Sequence, residues 1–394
     1  MRKKTVFSLI IVFIVYLFFE LICFAAEAYL ARYKDMKYSP HIDKLAEAIL
    51  NDKQLVNEVV SGTVEPRRQF DADLGWKFTP NYRTPWEIMT NGIRDEKSYT
   101  FEKPAGVVRM LAFGDSFTYC DEVANTNTWE KYLNDSGSIQ VLNFGVPGYG
   151  LDQAYLRYLK EARQYKTDYV LIGYMVENIN RHVNTFRYFY SPVVWYYSKP
   201  RFYLENGKLK LLENYFKTPE EIRKLVDNPK KVIAELGKKD FFYQTRFYSR
   251  GFFDFLPSVR LYKVLSAVYR EEVTGMLRND VYNTQSEAYQ VTEKIFDSFV
   301  ADVKKTGAVP IILVFPDRDD LLRQRAGKPK RYEALLNHFK ERNYRFFDVM
   351  DAFDKNCPNC DLKILINNHY SPLGNMIVAK GFVENFVKDA QVKH

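Results

Sequence analysis

Histidine and cysteine are scarce in this chain, five and four respectively among 394 residues. The cysteines are Cys23, Cys120 and the Cys357/Cys360 pair of a Cys-Pro-Asn-Cys loop, and the histidines are scattered. A zinc-type site needs about four such ligands at close spacing, so no metal is expected. No run of lysine and arginine is long enough for a nucleic-acid footprint, and 57 basic residues against 49 acidic ones leave a net charge of +8. Nucleic acid is not an expected partner. The glycine-dense segments lack the Gly-x-Gly-x-x-Gly spacing and the Lys-Ser/Thr ending of phosphate loops, and no cofactor is expected. Internal repeats and low-complexity tracts are also missing.

What the chain does have is ample apolar content, 46% against 27% charged, enough for one large core with an elaboration. It opens with Arg2, Lys3 and Lys4, followed by an apolar stretch from Val6 to Ala26 broken only by Glu20. That length matches one bilayer crossing, and the basic flank keeps the amino-terminal end cytoplasmic. Residues 1–28 are read as an uncleaved signal-anchor, with everything after Ala28 on the periplasmic or extracellular side. A cleaved signal peptide is the rival, because Ala26-Glu27-Ala28 is a small-x-small site; the stretch exceeds the usual core of about 7 to 15 residues. In an oxidising compartment Cys357 and Cys360 can close a small loop disulfide.

Residues 29–106 read as a juxtamembrane stalk, with an amphipathic stretch near Ile42 to Val60. From Val107 short apolar runs alternate with helical periods. The runs are Val107–Phe113, Val141–Phe144, Tyr169–Met175, Val309–Phe315 and Phe346–Val349. The helical segments are Trp129–Asn134, Leu151–Gln164, Ser286–Thr306, Arg331–Arg342 and Leu373–Asp389. Fully apolar strands separated by helices imply a parallel sheet covered on both faces, a flavodoxin-like three-layer α/β/α sandwich spanning 107–390. A long insert, 181–283, interrupts it and is too long for a structureless loop.

Three segments carry chemistry. The first run ends in Gly114-Asp115-Ser116-Phe117-Thr118, which places a serine at the carboxyl end of a parallel strand. The second leads into Asn143-Phe144-Gly145-Val146-Pro147-Gly148-Tyr149-Gly150, a loop able to bring backbone N–H groups near an acyl oxygen. Near the carboxyl terminus stands Asn367-Asn368-His369-Tyr370-Ser371-Pro372-Leu373-Gly374, with a loop histidine able to accept a serine proton. Taken singly, each also reads as an ordinary turn, cap or solvated side chain.

In this order, Gly-Asp-Ser, Asn-x-Gly-x-x-Gly and His-x-x-Pro-x-Gly resemble the SGNH (GDSL-type) hydrolase superfamily over about Val107–Met175 and Val309–Asp389. The resemblance implies Ser116 as nucleophile and donor of one oxyanion-hole N–H, Gly148 as donor of another, and His369 as general base. The stretch Asn91-Gly92-Ile93-Arg94-Asp95 also resembles a segment preceding the domain in membrane-linked relatives. Two blocks depart from the pattern. For Gly-x-Asn-Asp the chain has Val176-Glu177-Asn178-Ile179-Asn180, so Asn178 is the choice for the oxyanion-hole side chain and Asn180 the reserve. The aspartate usual just before the histidine is replaced by Ile366 and Asn367; Asn367 or Asp317 then becomes the candidate for orienting His369.

The expected function is serine-dependent hydrolysis of an acyl ester, the substrate class including envelope or exported polysaccharide. O-acyl transfer to a polysaccharide is the alternative from the same acyl-serine, and a non-catalytic carbohydrate-binding relative is the alternative outside enzymes. The insert crowds Phe186, Tyr188, Phe189, Tyr190, Trp195, Tyr196, Tyr197, Phe202 and Tyr203 together with Arg187, Lys199 and Arg201. Two readings are open: a sugar-gripping platform, or the insert's own small core.

Overall fold

The structure is a computed structural model and describes residues 2–63, 67–191 and 196–387. It divides into two compact units, Met1–Val56 with Arg223–Gly275, and Asn57–Ile222 with Met276–His394. The insert is thus shared: 181–222 and 276–283 belong to the larger unit and 223–275 to the smaller. Residues 57–106 likewise belong to the larger unit.

In chain order the helices that concern us begin with α1 (Arg2–Tyr33), α2 (Ser116–Tyr119), α3 (Trp129–Asn134) and α4 (Leu151–Glu161). They continue with α5 (Pro257–Thr274), α6 (Glu287–Lys305) and α7 (Arg318–Arg325). The last are α8 (Glu333–Glu341), α9 (Val349–Asn356) and α10 (Pro372–Phe382).

The larger unit is built on a sheet of five strands: β1 (Val108–Gly114), β2 (Ile139–Gly145), β3 (Tyr169–Met175), β4 (Val309–Phe315) and β5 (Phe346–Asp348). All pair in parallel in the order β5-β4-β3-β1-β2. This is the flavodoxin-like order, which reverses direction between β1 and β3. Met110, Leu111, Ala112 and Phe113 of β1 are all buried, so apolar side chains are needed on both faces. On one face Tyr158 of α4 meets Phe299 of α6 edge to face, ring centroids 5.6 Å apart. On the other, Trp129 and Leu133 of α3 join Phe353 of α9 and Val378 and Phe382 of α10 in one cluster. The three-layer sandwich expected from the alternation is therefore present, its strand boundaries within two residues of the apolar runs.

Burial decides between the two readings for most of the insert's nine aromatic residues. Phe186, Phe189, Tyr196, Tyr197 and Phe202 are buried. Phe186 packs edge to face on Phe189 at 5.3 Å and Tyr188 stacks on Tyr196 at 6.0 Å. These rings are a core rather than an open platform; Trp195 lies outside the described residues. Two of the three cations are internal as well: Lys199 pairs with Asp152 at 2.5 Å and Arg201 with Glu287.

The smaller unit contains α1, α5 and shorter helices at His41–Asn51, Pro229–Gly237 and Phe241–Arg246. From Val6 to Leu17 the side chains of α1 are exposed throughout, so no other described part of the chain buries this stretch.

Candidate functional site

Ser116 is the first residue of α2, a one-turn helix folded directly onto the carboxyl ends of β1, β2 and β3. That close fit explains three glycines. A Cβ on Gly114 or on Gly173 would lie 2.0 Å from Thr118 Oγ1, and one on Gly145 would lie 2.3 Å from the Tyr119 nitrogen. Only residues without a side chain let the helix sit so low. Asp115 caps it, its Oδ1 accepting from the Phe117 N–H at 2.8 Å. The Ser116 N–H, first in the helix, has no acceptor inside it.

The second motif supplies the neighbouring loop. Asn143 accepts from the Gly145 N–H at 2.9 Å and donates to the Thr118 carbonyl at 2.8 Å, tying the loop to α2. Gly148 has φ +85°, a left-handed conformation that suits glycine. Among the described residues its N–H makes no hydrogen bond. Asn178, buried at the end of β3, donates from Nδ2 to Asp115 Oδ2 at 2.8 Å. Its amide carries a second N–H, and the bond to Asp115 fixes how the amide is turned. Asn180, the reserve candidate, makes no such bond among the described residues. Arg181 binds these pieces together: Nη1 donates to the Tyr149 carbonyl at 3.1 Å, Nη2 to Glu177 at 2.9 Å, and Nη1 stands 3.7 Å from Asp115.

His369 arrives on the loop before α10. Ser371 and Pro372 start that helix, with Ser371 Oγ capping the Gly374 N–H at 3.1 Å. The imidazole lies against the helix of Ser116, its centroid 5.2 Å from that of Phe117. Ser116 and His369 share no direct hydrogen bond among the described residues; catalytic bonds are often loose before substrate binds.

A carboxylate that the sequence did not suggest stands beside the ring. Glu122 Oε1 lies 3.2 Å from His369 Nδ1 and accepts from Asn368 Nδ2 at 3.1 Å. The contact has ion-pair distance without hydrogen-bond alignment, and Nδ1 has no other acceptor. Glu122 adopts φ +69° and Cys120 φ +62°, a strained turn for residues with a Cβ. Arg94, buried, holds it: its guanidinium donates to the carbonyls of Tyr119, Cys120 and Val123 and lies 4.2 Å over the Tyr119 ring. Arg67 adds an ion pair to Asp121 at 2.6 Å. The Asn91–Asp95 segment, recognisable beforehand only as a resemblance, thus shapes the turn after the serine helix.

Among the described residues, neither side chain considered from sequence for orienting His369 hydrogen-bonds its ring. Asp317 caps α7, accepting from the Asp320 N–H at 2.8 Å. The side chain of Asn367 is exposed, and its backbone N–H donates to the His369 carbonyl at 3.1 Å. Cys120 is no rival nucleophile, because burial and then Glu130 push its thiol well above the usual range. Cys357 and Cys360 form a disulfide. Among the described residues no group of three or more histidine, cysteine or acidic side chains is arranged to hold a metal ion.

No family model and no curated protein matches this chain. Solved structures do. An alpha/beta hydrolase enzyme from the metagenome of Lake Arreo is 14% identical with a TM-score of 0.38, covering 72% of this chain and 96% of its own. A catalytic mutant of an acetylxylan esterase from Geobacillus stearothermophilus is 14% identical with a TM-score of 0.36, covering 71% and 93%. A member of the lipolytic protein G-D-S-L family from Veillonella parvula is 10% identical with a TM-score of 0.36, covering 71% and 99%.

Proposed function

We propose that this chain is a serine-dependent ester hydrolase. Ser116 attacks the acyl carbonyl, His369 takes its proton, and Glu122 orients the imidazole through Nδ1. The tetrahedral oxyanion is held by the N–H groups of Ser116 and Gly148 and by the second N–H of Asn178. Proton return from His369 to the leaving alcohol gives an acyl-serine, which water resolves. The observation that carries this reading is what stands at the β1/β3 switch point: a buried serine opening α2, a Gly148 N–H without an acceptor among the described residues, and a histidine with a carboxylate at Nδ1.

The test is labelling with a fluorophosphonate probe together with turnover of a small acetyl ester. Ser116→Ala should lose labelling, and Ser116→Ala and His369→Ala should each lower turnover by roughly three to six orders of magnitude with little additivity. Labelling of Ser116→Ala at the normal rate would move the nucleophile elsewhere. Polysaccharide esters are the substrates we propose to try next. Acetylated sugar formed from an activated acetyl ester and oligosaccharides would make the enzyme a transferase.

We further read α1 as a single membrane span, with the chain beyond Ala28 outside the cytoplasm. Its support is the exposed apolar surface of α1 and the basic flank before it.

A further inference from the structure

Glu20 interrupts the apolar run of α1, and unlike Phe19 and Leu21 beside it, it is buried, at 8% exposed. Counting from Thr5, about twenty helical residues cross a hydrocarbon layer of about 30 Å, so its far edge falls near Phe24. Glu20 lies about one turn inside that edge, where a charge without a partner is costly. Its carboxylate accepts from the Ser258 N–H at 2.9 Å and from the Ser258 hydroxyl at 2.6 Å. Ser258 is in the first turn of α5, whose N–H groups have no acceptor in the helix and carry the positive end of its dipole. Glu27, on the same face of α1, pairs with Arg260 at 2.7 Å. These bonds hold the start of α5 at the depth of the bilayer edge.

The turn leading into α5 is inside out for a surface in water. Asp254, its only charge between Gly251 and Leu256, faces inward at 8% exposed. It accepts from the Gly251 N–H at 2.9 Å, from Lys263 at 2.7 Å and from the Tyr38 hydroxyl. Arg260 donates to the carbonyls of Asp254 and Phe255 at 3.1 and 3.2 Å. Outward point Phe252, Phe253 and Phe255, at 86%, 59% and 66% exposed. Burying the acid and presenting three rings to solvent is the reverse of ordinary patterning. Tyr29 and Tyr33, exposed on α1 just beyond the apolar run, stand where interfacial aromatics anchor a span.

We propose that Phe252, Phe253 and Phe255 form a wedge inserted among the lipid headgroups and upper acyl chains of the bilayer that α1 crosses. The proposal rests on the reading of α1 as a span. The wedge gives the chain a second attachment to lipid, fixed beside the first by the Glu20 and Glu27 contacts.

The test places a bimane on single cysteines in the full chain, with Cys23 and Cys120 changed to alanine, reconstituted in phosphatidylcholine vesicles with or without brominated acyl chains. Phe253→Cys reports the wedge, Phe13→Cys the span and Glu235→Cys, partly exposed on another helix, the aqueous phase. Fluorophosphonate labelling checks that each variant is folded. We expect brominated lipid to remove most of the emission at positions 253 and 13 and to leave position 235 unchanged. Quenching at 13 without quenching at 253 overturns the wedge and leaves the span standing. Emission at 13 unaffected by bromine overturns the span, and the wedge with it.

Discussion

Glu122 and Asn367 stand at two positions from which an acid could serve His369, and only one of them carries a charge. If Glu122 orients the base, Glu122→Gln should lower kcat by about ten- to a hundredfold with KM nearly unchanged, a loss typical of weakened support for a base. Asn367→Asp in that background should restore part of the loss. Equal rates for wild type and Glu122→Gln across the pH profile would remove Glu122 from the mechanism. Ser116, Gly148, Asn178 and His369 were legible as candidates because each stands in a short motif. Glu122 was not, since its approach to a histidine 247 positions away depends on a left-handed turn that Arg94 holds. A second residue-scale expectation concerns Glu130, which burial beside Cys120 pushes up to about 8. Between the ordinary glutamate value and that pH the folded chain binds more protons than the unfolded one, so this residue's contribution to stability falls as pH rises. Glu130→Gln should therefore raise Tm more at pH 8 than at pH 5, by scanning calorimetry. A gain independent of pH would contradict the raised value.

At the scale of elements, the junction between α2 and the sheet is the sensitive one. The strands were legible because buried parallel strands are apolar on both faces and end in small residues. The depth of α2 was not, since nothing in Gly114, Gly145 or Gly173 shows that a helix will press on all three. Gly145→Ala puts a methyl against backbone rather than against a flexible side chain, so relief requires α2 to move. We expect a loss of about 1 to 3 kcal/mol in urea unfolding. The fluorophosphonate rate should fall at temperatures where the variant is still folded. A variant that loses stability but labels at the normal rate would separate the helix's depth from its chemistry. Arg94→Lys tests the same junction from the other side: lysine keeps one charge but cannot reach three carbonyls at once. Its turnover should fall with little change in expression.

For the whole molecule, each of the two compact units is assembled from two separate stretches of chain. Residues 223–275 join the first 56, and no composition shift marks the places where the chain leaves one unit and returns. Hydrophobic period reports local burial, and a unit assembled from two distant stretches has no local signature. The proposed topology carries its own expectation: protease added to spheroplasts should digest everything beyond α1, and protection would overturn the proposed orientation. The bond between Glu20 and Ser258 spans 238 positions. At about 5 to 20 residues per second, the ribosome makes Ser258 roughly 12 to 48 seconds after Glu20. With α1 as the span proposed above, the anchor enters the bilayer before the partner of its acid exists, and its seating is finished late, by the arrival of a helix from the middle of the chain.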